Sequence, residues 1–279
     1  MNIEEKIRRF YAATVVLGKA KNYDRLVEAF ATVPRERYVG PGPWHVCTGD
    51  DYIDTPSSDL AFLYQDNLIA LSKERRINNG QPSLHAVCLD AAAPKAGESV
   101  VHIGAGTGYY TALLRELVGP AGSLVAYEID RDLAAKAVEN LQDFPNVTVR
   151  CRSGAQARLP DCDVIYVNAG VTELPDVWLD ALRLRGRLVV PLTPKHEFGG
   201  MLLITRKSDD RFDAHFVSGA MFIPCVGVCD DAASARLTEA FHRGGMRDVR
   251  SLRRREPTDA SCWYAGGNWW LSTAAPPRT

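Results

Sequence analysis

The sequence lacks several features that would assign a protein to a particular environment. No apolar run in the 279 residues approaches membrane-spanning length, and the first residues lack the apolar core of a signal peptide. Neither sign of charge dominates, because 33 Lys and Arg face 34 Asp and Glu. We therefore expect a soluble globular protein with no nucleic-acid partner and no membrane partner.

Cysteine is present, but not in a pattern typical of metal sites. The seven cysteines include no Cys-x-x-Cys pair, and Cys225 and Cys229 have no nearby histidine pair to complete a zinc site. We expect reduced, mostly buried thiols, no bound metal and a cytoplasmic location.

One stretch combines a strand signal with a glycine turn. The apolar run Val100–Ile103 is typical of a buried parallel strand, three glycines alternate over Gly104–Gly108, and residues 111–118 predict a helix. A second predicted strand ends at Glu128, whose carboxylate can accept both hydrogen bonds of a ribose diol. Together these signals predict a nucleotide-binding corner, because glycine lets the backbone approach a ligand and the helix start offers free amides.

Three classes of cofactor could use such a corner. The dinucleotide fingerprint needs its last glycine where this chain has Tyr109. No Gly-Lys-Ser/Thr follows the turn, which excludes a Walker-type phosphate loop. S-adenosylmethionine (AdoMet) carries no phosphate and binds a glycine turn through its amino-acid part, so the spacing favours AdoMet.

The rest of the chain alternates predicted strands and helices. Seven strands favour an α/β, Rossmann-like, doubly wound and mainly parallel sheet, which binds ligands at the carboxyl ends of its strands. We expect an N-terminal helical section over residues 1–60, a core over residues 61–229, and a C-terminal α+β appendage over residues 230–279 with an aromatic hairpin. Residues 44–60 are expected to be irregular. The first helix is predicted over residues 3–18 from the spacing of Ile3, Ile7, Phe10, Tyr11, Thr14 and Leu17.

Further motifs follow one another along residues 5–225. They are Phe30 with Val33–Val39, Tyr64–Leu68, Gln81–Ala86, Val164–Gly170, Gly186–Pro191 and Phe222–Pro224. With the glycine corner, these motifs resemble the protein-L-isoaspartate O-methyltransferase family. The resemblance implies a seven-stranded AdoMet-dependent enzyme that methylates a side-chain or α-carboxylate at isoaspartyl damage.

The chain departs from this family pattern at three places. His102 replaces an acid two positions before the first glycine, and Arg152-Ser153-Gly154 replaces Gly-Asp-Gly after the third strand. Asn78 and Gly80 replace Thr and Ser, whose hydroxyls lie beside the acceptor carboxyl in the family. The cofactor corner is therefore kept better than the acceptor site, and relatives that modify peptide carboxylates during natural-product assembly fit such changes.

The resemblance and the sheet edge predict two sets of site residues. The acceptor set is Asn78, Gly80, Gln81 and His85. The cofactor set is His102, Gly104, Ala105, Gly106, Thr107, Gly108, Glu128, Ile129, Ser153, Gly154 and Asn168. Ordinary structural roles stay open for three of them: a packed core histidine at His102, satisfaction of backbone groups at His85, and a strand-ending turn at Asn168.

The predicted function is AdoMet-dependent O-methyl transfer to a carboxylate of a peptide or protein. A carboxylate is already ionised at pH 7, whereas a hydroxyl or amine acceptor would need a general base, for which His85, His102 and Glu173 are candidates. A small-molecule or natural-product methyltransferase is one alternative, and a non-catalytic AdoMet-binding interaction module is another. The oligomeric state stays open, and the arginines Arg250 and Arg253–Arg255 are expected on a solvated strand face.

Overall fold

The computed structural model describes residues 1–49 and 51–276, which form two compact units. The first unit consists of Met1–Gly97 with Ala105–Cys151, and the second consists of Glu98–Gly104 with the described chain from Arg152 onward. None of the helices in this described part is long and apolar enough to cross a membrane. The predicted domain boundaries at residues 60 and 229 stay a prediction, because the two compact units do not show which segments fold alone.

Helices and strands follow one another along the chain. The described helices are α1 (Ile3–Val16), α2 (Tyr23–Thr32), α3 (Glu36–Val39), α4 (Leu60–Leu63), α5 (Pro82–Ala92), α6 (Tyr109–Val118), α7 (Arg131–Leu141), α8 (Asp176–Ala181) and α9 (Asp231–His242). The described strands are β1 (His45–Cys47), β2 (Tyr52–Asp54), β3 (Ala70–Ser72), β4 (Ile77–Asn78), β5 (Ser99–Ile103), β6 (Ser123–Glu128), β7 (Val147–Cys151), β8 (Cys162–Val167), β9 (Leu182–Leu192), β10 (Gly199–Arg206), β11 (Arg211–Ala220), β12 (Ser251–Arg254), β13 (Cys262–Ala265) and β14 (Trp269–Ser272).

The first helix buries a different face from the expected one. Asn2 and Glu5 form a capping box that fixes the start of α1. Of the residues that predicted this helix, Ile3, Phe10 and Leu17 are 70%, 73% and 68% exposed, whereas Tyr11 is buried with Ala12, Val15 and Val16. Apolar side chains lie around most of α1, so only its packing against α2 and α5 selects the buried side.

Short antiparallel hairpins complete the first unit. β1 pairs with β2 and β3 pairs with β4. The expectation of irregular structure over residues 44–60 is therefore wrong for His45–Cys47 and Tyr52–Asp54. Strands of two or three residues are too short to produce a recognisable alternation of polar and apolar residues. In the same unit β6 and β7 run parallel, with Glu128 opposite Cys151.

The second unit contains a large mixed sheet. Its strands lie in the order β13-β14-β12-β11-β10-β9-β8-β5. β8 is parallel to both β5 and β9, and the remaining neighbours are antiparallel. The parallel strand β8 is an almost continuous run of buried residues, as expected where both faces of a sheet are covered. All seven predicted core strands are present as β5–β11, and the tail adds three more.

The tail after residue 230 is packed into the second unit. Its aromatic residues Trp263, Tyr264, Trp269 and Trp270 are 2–6% exposed. Trp263 contacts Phe216 of β11 and Phe241 of α9 edge to face, with ring centroids 5.3 and 5.2 Å away. These contacts agree with the expected packed hairpin. The expected solvated arginine face is wrong for Arg254, whose side chain is 1% exposed.

None of the seven cysteines, all of which lie in the described residues, forms a disulfide. Burial is less general than expected. Cys88, Cys162 and Cys225 are buried, Cys151 is exposed, and the other three are intermediate.

Candidate cofactor and acceptor site

The glycine turn follows β5 and leads into α6. The φ angles of Gly106 and Gly108 are +55° and +101°, in the region that favours glycine. A Cβ at Gly108 would also lie 2.9 Å from Leu141 Cδ1. The buried Ala105 donates its N–H to Tyr127 O at 3.1 Å, so the turn is tied to the end of β6.

Thr107, within this turn, has a structural role for its side chain. Its hydroxyl donates to Tyr38 O at 2.5 Å, and its carbonyl accepts from Asn140 Nδ2 at 2.9 Å. With 4% of its surface exposed, Thr107 fixes the turn rather than offering a hydroxyl to a ligand.

Glu128 is the acid expected to bind a ribose. The side chain is 7% exposed; Oε2 accepts from Gly106 N at 2.7 Å and Oε1 from Asp130 N at 3.0 Å. Burial raises the pKa of this carboxyl, and these backbone amides oppose the shift. A carboxylate has about four acceptor positions, so these backbone bonds leave capacity for a hydrogen bond from a ribose hydroxyl. The neighbouring Ile129 is 48% exposed. With this acceptor capacity at Glu128, the residues present fit AdoMet.

The predicted acceptor residues lie together in the first unit, but in unexpected roles. Asn78 Oδ1 accepts from Gly80 N at 2.9 Å, and the exposed Gln81 donates its amide to Asp66 Oδ2 at 3.0 Å. His85 is 1% exposed and stacks on Tyr110 with 3.6 Å between ring centroids. The loop is thus held by its own side chains.

Gly80 is required by both backbone conformation and packing. Its φ angle is +74°, and a Cβ added there would lie 2.4 Å from His85 Nε2. A serine, as in the family pattern, would therefore be strained and would clash unless His85 moved.

Sequence reasoning missed the residues that support this loop. Arg35 is 0% exposed and donates to the carbonyls of Leu63, Gln65 and Asn67 and to Asn79 Oδ1. The same Asn79 oxygen accepts from Ile69 N at 3.1 Å. The family motif around Arg35 was the available signal, but it gave no indication that the guanidinium is buried.

In the second unit, His102 is a core residue. It is 0% exposed within β5, its ring lies 5.7 Å from that of Tyr166, and burial lowers its pKa to about 3. At neutral pH it therefore carries no charge and cannot reproduce the acid that it replaces.

Gly104 and Asn168 meet at the carboxyl ends of β5 and β8. Gly104 has a φ angle of +77°, and a Cβ there would lie 3.3 Å from Asn168 O. Asn168 N donates to Ile103 O at 2.8 Å, whereas Asn168 Oδ1 is buried and has no hydrogen-bond partner among the described residues. An unsatisfied buried acceptor costs free energy, so this oxygen suits a donor group of AdoMet.

The loop after β7 contains Ser153 and Gly154. Ser153 Oγ accepts from Ala155 N at 3.2 Å, which leaves its hydroxyl hydrogen available as a donor. Gly154 O accepts from Trp178 Nε1 at 3.0 Å. Within the described residues, no group of three or more His, Cys, Asp or Glu side chains could hold a metal.

An α/β fold with a glycine turn after one strand and an acid at the end of the next is the arrangement expected of an AdoMet-dependent methyltransferase. A solved protein-L-isoaspartate O-methyltransferase superimposes with a TM-score of 0.65 at 24% identity over 93% of this chain and 75% of its own. A structure from Plasmodium falciparum is described as a protein-L-isoaspartate O-methyltransferase in complex with S-adenosyl-L-homocysteine. It superimposes with a TM-score of 0.60 at 18% identity, over 81% of this chain and 99% of its own. Both likenesses confirm the predicted fold class.

The chain belongs to the protein-L-isoaspartate(D-aspartate) O-methyltransferase family, whose sequence model matches residues 17–229. The protein-L-isoaspartate O-methyltransferase 2 of Marinobacter nauticus is 30% identical over 228 residues, which cover 79% of this chain and 93% of that protein. The protein-L-isoaspartate O-methyltransferase of Brucella anthropi is 29% identical over 205 residues, which cover 73% of this chain and 86% of that protein. The chain is thus an AdoMet-dependent O-methyltransferase, which confirms the predicted family, enzyme class and cofactor.

Replacing Glu128 by alanine should weaken AdoMet binding by about 1.5–3 kcal/mol, the range for hydrogen bonds to a charged group. The variant loses the predicted ribose acceptor and also leaves the amide of Gly106 without its partner. Titration calorimetry with AdoMet measures the effect. Glu128→Gln keeps one carbonyl oxygen, so its affinity for AdoMet should lie between those of the parent protein and Glu128→Ala. Glu139→Ala, at an exposed position of α7, is the control. An unchanged affinity in Glu128→Ala would remove Glu128 from the site.

Proposed function

We propose that this enzyme transfers the methyl group of AdoMet to a carboxylate of a peptide or protein, at an acceptor site that differs from that of a general isoaspartyl repair enzyme. Bound AdoMet supplies a methyl group on a sulfonium, and its transfer is an in-line displacement. One carbon–oxygen bond forms as one carbon–sulfur bond breaks, and no proton moves. The protein then needs to bind, align and desolvate the reactants.

The main support for a carboxylate acceptor is that the three candidate general bases are all held by other groups of the fold. His102 is buried with a pKa of about 3, and His85 is 1% exposed and stacked on Tyr110. Glu173 Oε2 accepts from Gly267 N at 2.9 Å, and its Oε1 lies 3.5 Å from Arg236 Nη2. All three side chains are engaged in the fold, which favours an acceptor that is already ionised.

The site residues keep their predicted assignments as proposals. The backbone of Gly104–Gly108 would hold the amino-acid part of AdoMet, and Glu128, beside Ile129, would hold the ribose. Ser153 and Gly154 would face the adenine, and Asn168 Oδ1 would accept from an amine of the cofactor. His102 would contribute only neutral packing. Asn78, Gly80, Gln81 and His85 would shape the acceptor loop rather than take part in proton transfer.

Two other functions would give different results in one experiment. Radiolabelled AdoMet is incubated with an isoaspartyl peptide, an unmodified peptide and a metabolite extract. Transfer to a peptide carboxylate, released as methanol by base, supports the proposal. Transfer only to a metabolite would indicate a small-molecule methyltransferase, and AdoMet binding without any transfer would indicate an interaction module. We also propose a cytoplasmic enzyme with no nucleic-acid partner, on the balanced charge and the absence of disulfides among the seven cysteines.

Activity on generic isoaspartyl peptides should be low, on the order of a hundredfold below that of a repair enzyme, because a reactant misplaced by about 1 Å loses that much rate. Asn78 offers a side-chain amide where the family has a hydroxyl, and the N–H of Gly80 is donated to Asn78 Oδ1, so the reacting oxygen would be held differently. Initial rates with a standard isoaspartyl peptide test this expectation. Robust turnover by the unmodified enzyme would contradict it.

Restoring the family hydroxyls separates the two positions. Asn78→Thr should raise isoaspartyl activity, whereas Gly80→Ser should lower it, because the added Cβ meets His85 and the backbone becomes strained. The sequence pattern alone predicts that both changes together restore activity, but the conformation of Gly80 argues against Gly80→Ser. Gly80→Ala is the matched control, and it should lose as much activity as Gly80→Ser if the Cβ, not the hydroxyl, is responsible.

A further inference from the structure

Trp178 connects α8 to a loop that is assigned to the cofactor. Its side chain is 0% exposed, and its indole N–H donates to Gly154 O at 3.0 Å. Gly154 follows Ser153 in the loop after β7. Because a carbonyl that is held by a buried donor cannot rotate freely, this bond fixes the direction of the backbone at Gly154.

The helix that carries Trp178 depends on a residue of the tail. α8 has six residues, too few to be stable through its own hydrogen bonds. The buried Arg254 of β12 donates to Asp176 Oδ1 and to Asp180 Oδ1, both at 2.7 Å. Asn268 donates to the second oxygen of Asp176 at 3.1 Å. Arg254 thus holds both ends of α8, and Trp178 lies between the two acids.

We propose that Trp178 is a positioning residue for AdoMet binding and that Arg254 acts through it. The indole would orient the loop Ser153–Gly154, and Arg254 would fix the helix from which the indole reaches that loop. The family pattern has an acid where this chain has Ser153, so the cofactor is offered a neutral hydroxyl in place of a charge. Holding the loop in its binding geometry beforehand lowers the ordering cost of binding, which supports this weaker contact. The inference rests on the proposed assignment of Ser153 and Gly154 to the cofactor.

The chain offers a matched control for testing Trp178. Trp263 is also buried, at 6% exposure, and its indole N–H donates to Gly244 O at 2.8 Å. Trp178→Phe and Trp263→Phe therefore remove the same donor from the same kind of acceptor and should lower the melting temperature similarly. Only Trp178→Phe should weaken AdoMet binding, by about tenfold in Kd, the effect of losing one useful hydrogen bond. Trp263→Phe should change Kd less than about twofold.

Titration calorimetry with AdoMet on the full-length protein gives Kd, and thermal unfolding gives the matched stability. Arg254→Lys keeps the charge but cannot donate to Asp176 and Asp180 at the same time, so it should also raise the Kd. This variant tests the proposal if Trp178→Phe does not fold. Equal Kd values in the two tryptophan variants, or an unchanged Kd in Arg254→Lys, would overturn the proposal. Because AdoMet binding needs no acceptor, failure to methylate any peptide would count against the proposed function and not against this inference.

Discussion

Deletion of residues 231–279 should leave the second unit unable to fold. The deletion removes β12–β14 and exposes the edge of β11, which pairs with β12 from Arg211 to Asp213. It also removes eight large buried apolar side chains, which are Leu237, Val249, Leu252, Trp263, Tyr264, Trp269, Trp270 and Leu271. At about 1.5–3 kcal/mol for each, their burial contributes about 12–24 kcal/mol as an upper estimate. This equals or exceeds the net stability of a typical domain, which is about 5–15 kcal/mol.

The truncated protein should therefore be insoluble or lack a cooperative thermal transition. Soluble yield and melting by circular dichroism measure the effect. A tail that served only as a mobile lid would leave the melting temperature level while turnover changed. Such a result would contradict the packing of the four tail aromatics.

Acidification should destabilise the protein through His102, by on the order of 3 kcal/mol between pH 7 and pH 4. In the folded state, burial lowers the pKa of His102 to about 3, so the ring stays neutral across this range. In the unfolded chain a histidine has an ordinary pKa of about 6.5 and binds a proton as the pH falls. The unfolded state therefore binds more protons, and stability that is fully present above about pH 6.5 decreases as the pH falls toward 3.

Urea unfolding at several pH values measures this contribution. His102→Met should be less stable at pH 7 but should lose less stability on acidification than the parent protein. His242→Met, at an exposed position of α9, controls for removing one histidine from the chain. The same pH slope in His102→Met and the parent would mean that His102 is not the group responsible.

Local sequence signals were sufficient for the conformation of the glycine turn and the position of the acid that follows it. The glycine turn follows a strand as expected, and the second strand ends at Glu128 as the spacing predicts. These features follow from short-range constraints, because only glycine takes the φ angles of the turn and a buried parallel strand needs a continuous apolar run. The family motifs added the enzyme class, which composition and periodicity could not supply.

The conformation of the predicted acceptor loop could not be derived from the sequence. The substitution of Gly80 for serine looks like the loss of a hydroxyl. The structure shows that it also accommodates His85, since a Cβ there would lie 2.4 Å from Nε2. The two residues are close in the chain, but their contact depends on the stacking of His85 on Tyr110, which belongs to another helix. No local pattern encodes that arrangement.

The sequence by itself determined the α/β class, the order of the core strands along the chain, the glycine turn and the acid that follows it. Only the tertiary structure decided which face of α1 is buried, that the tail strands extend a sheet, and that Arg254 binds two acids of α8 instead of facing solvent. The first group depends on periodicity and backbone conformation, which neighbouring residues specify. The second depends on which surfaces meet. Residues far apart in the chain make those contacts; Asp176 and Arg254, for example, are 78 positions apart.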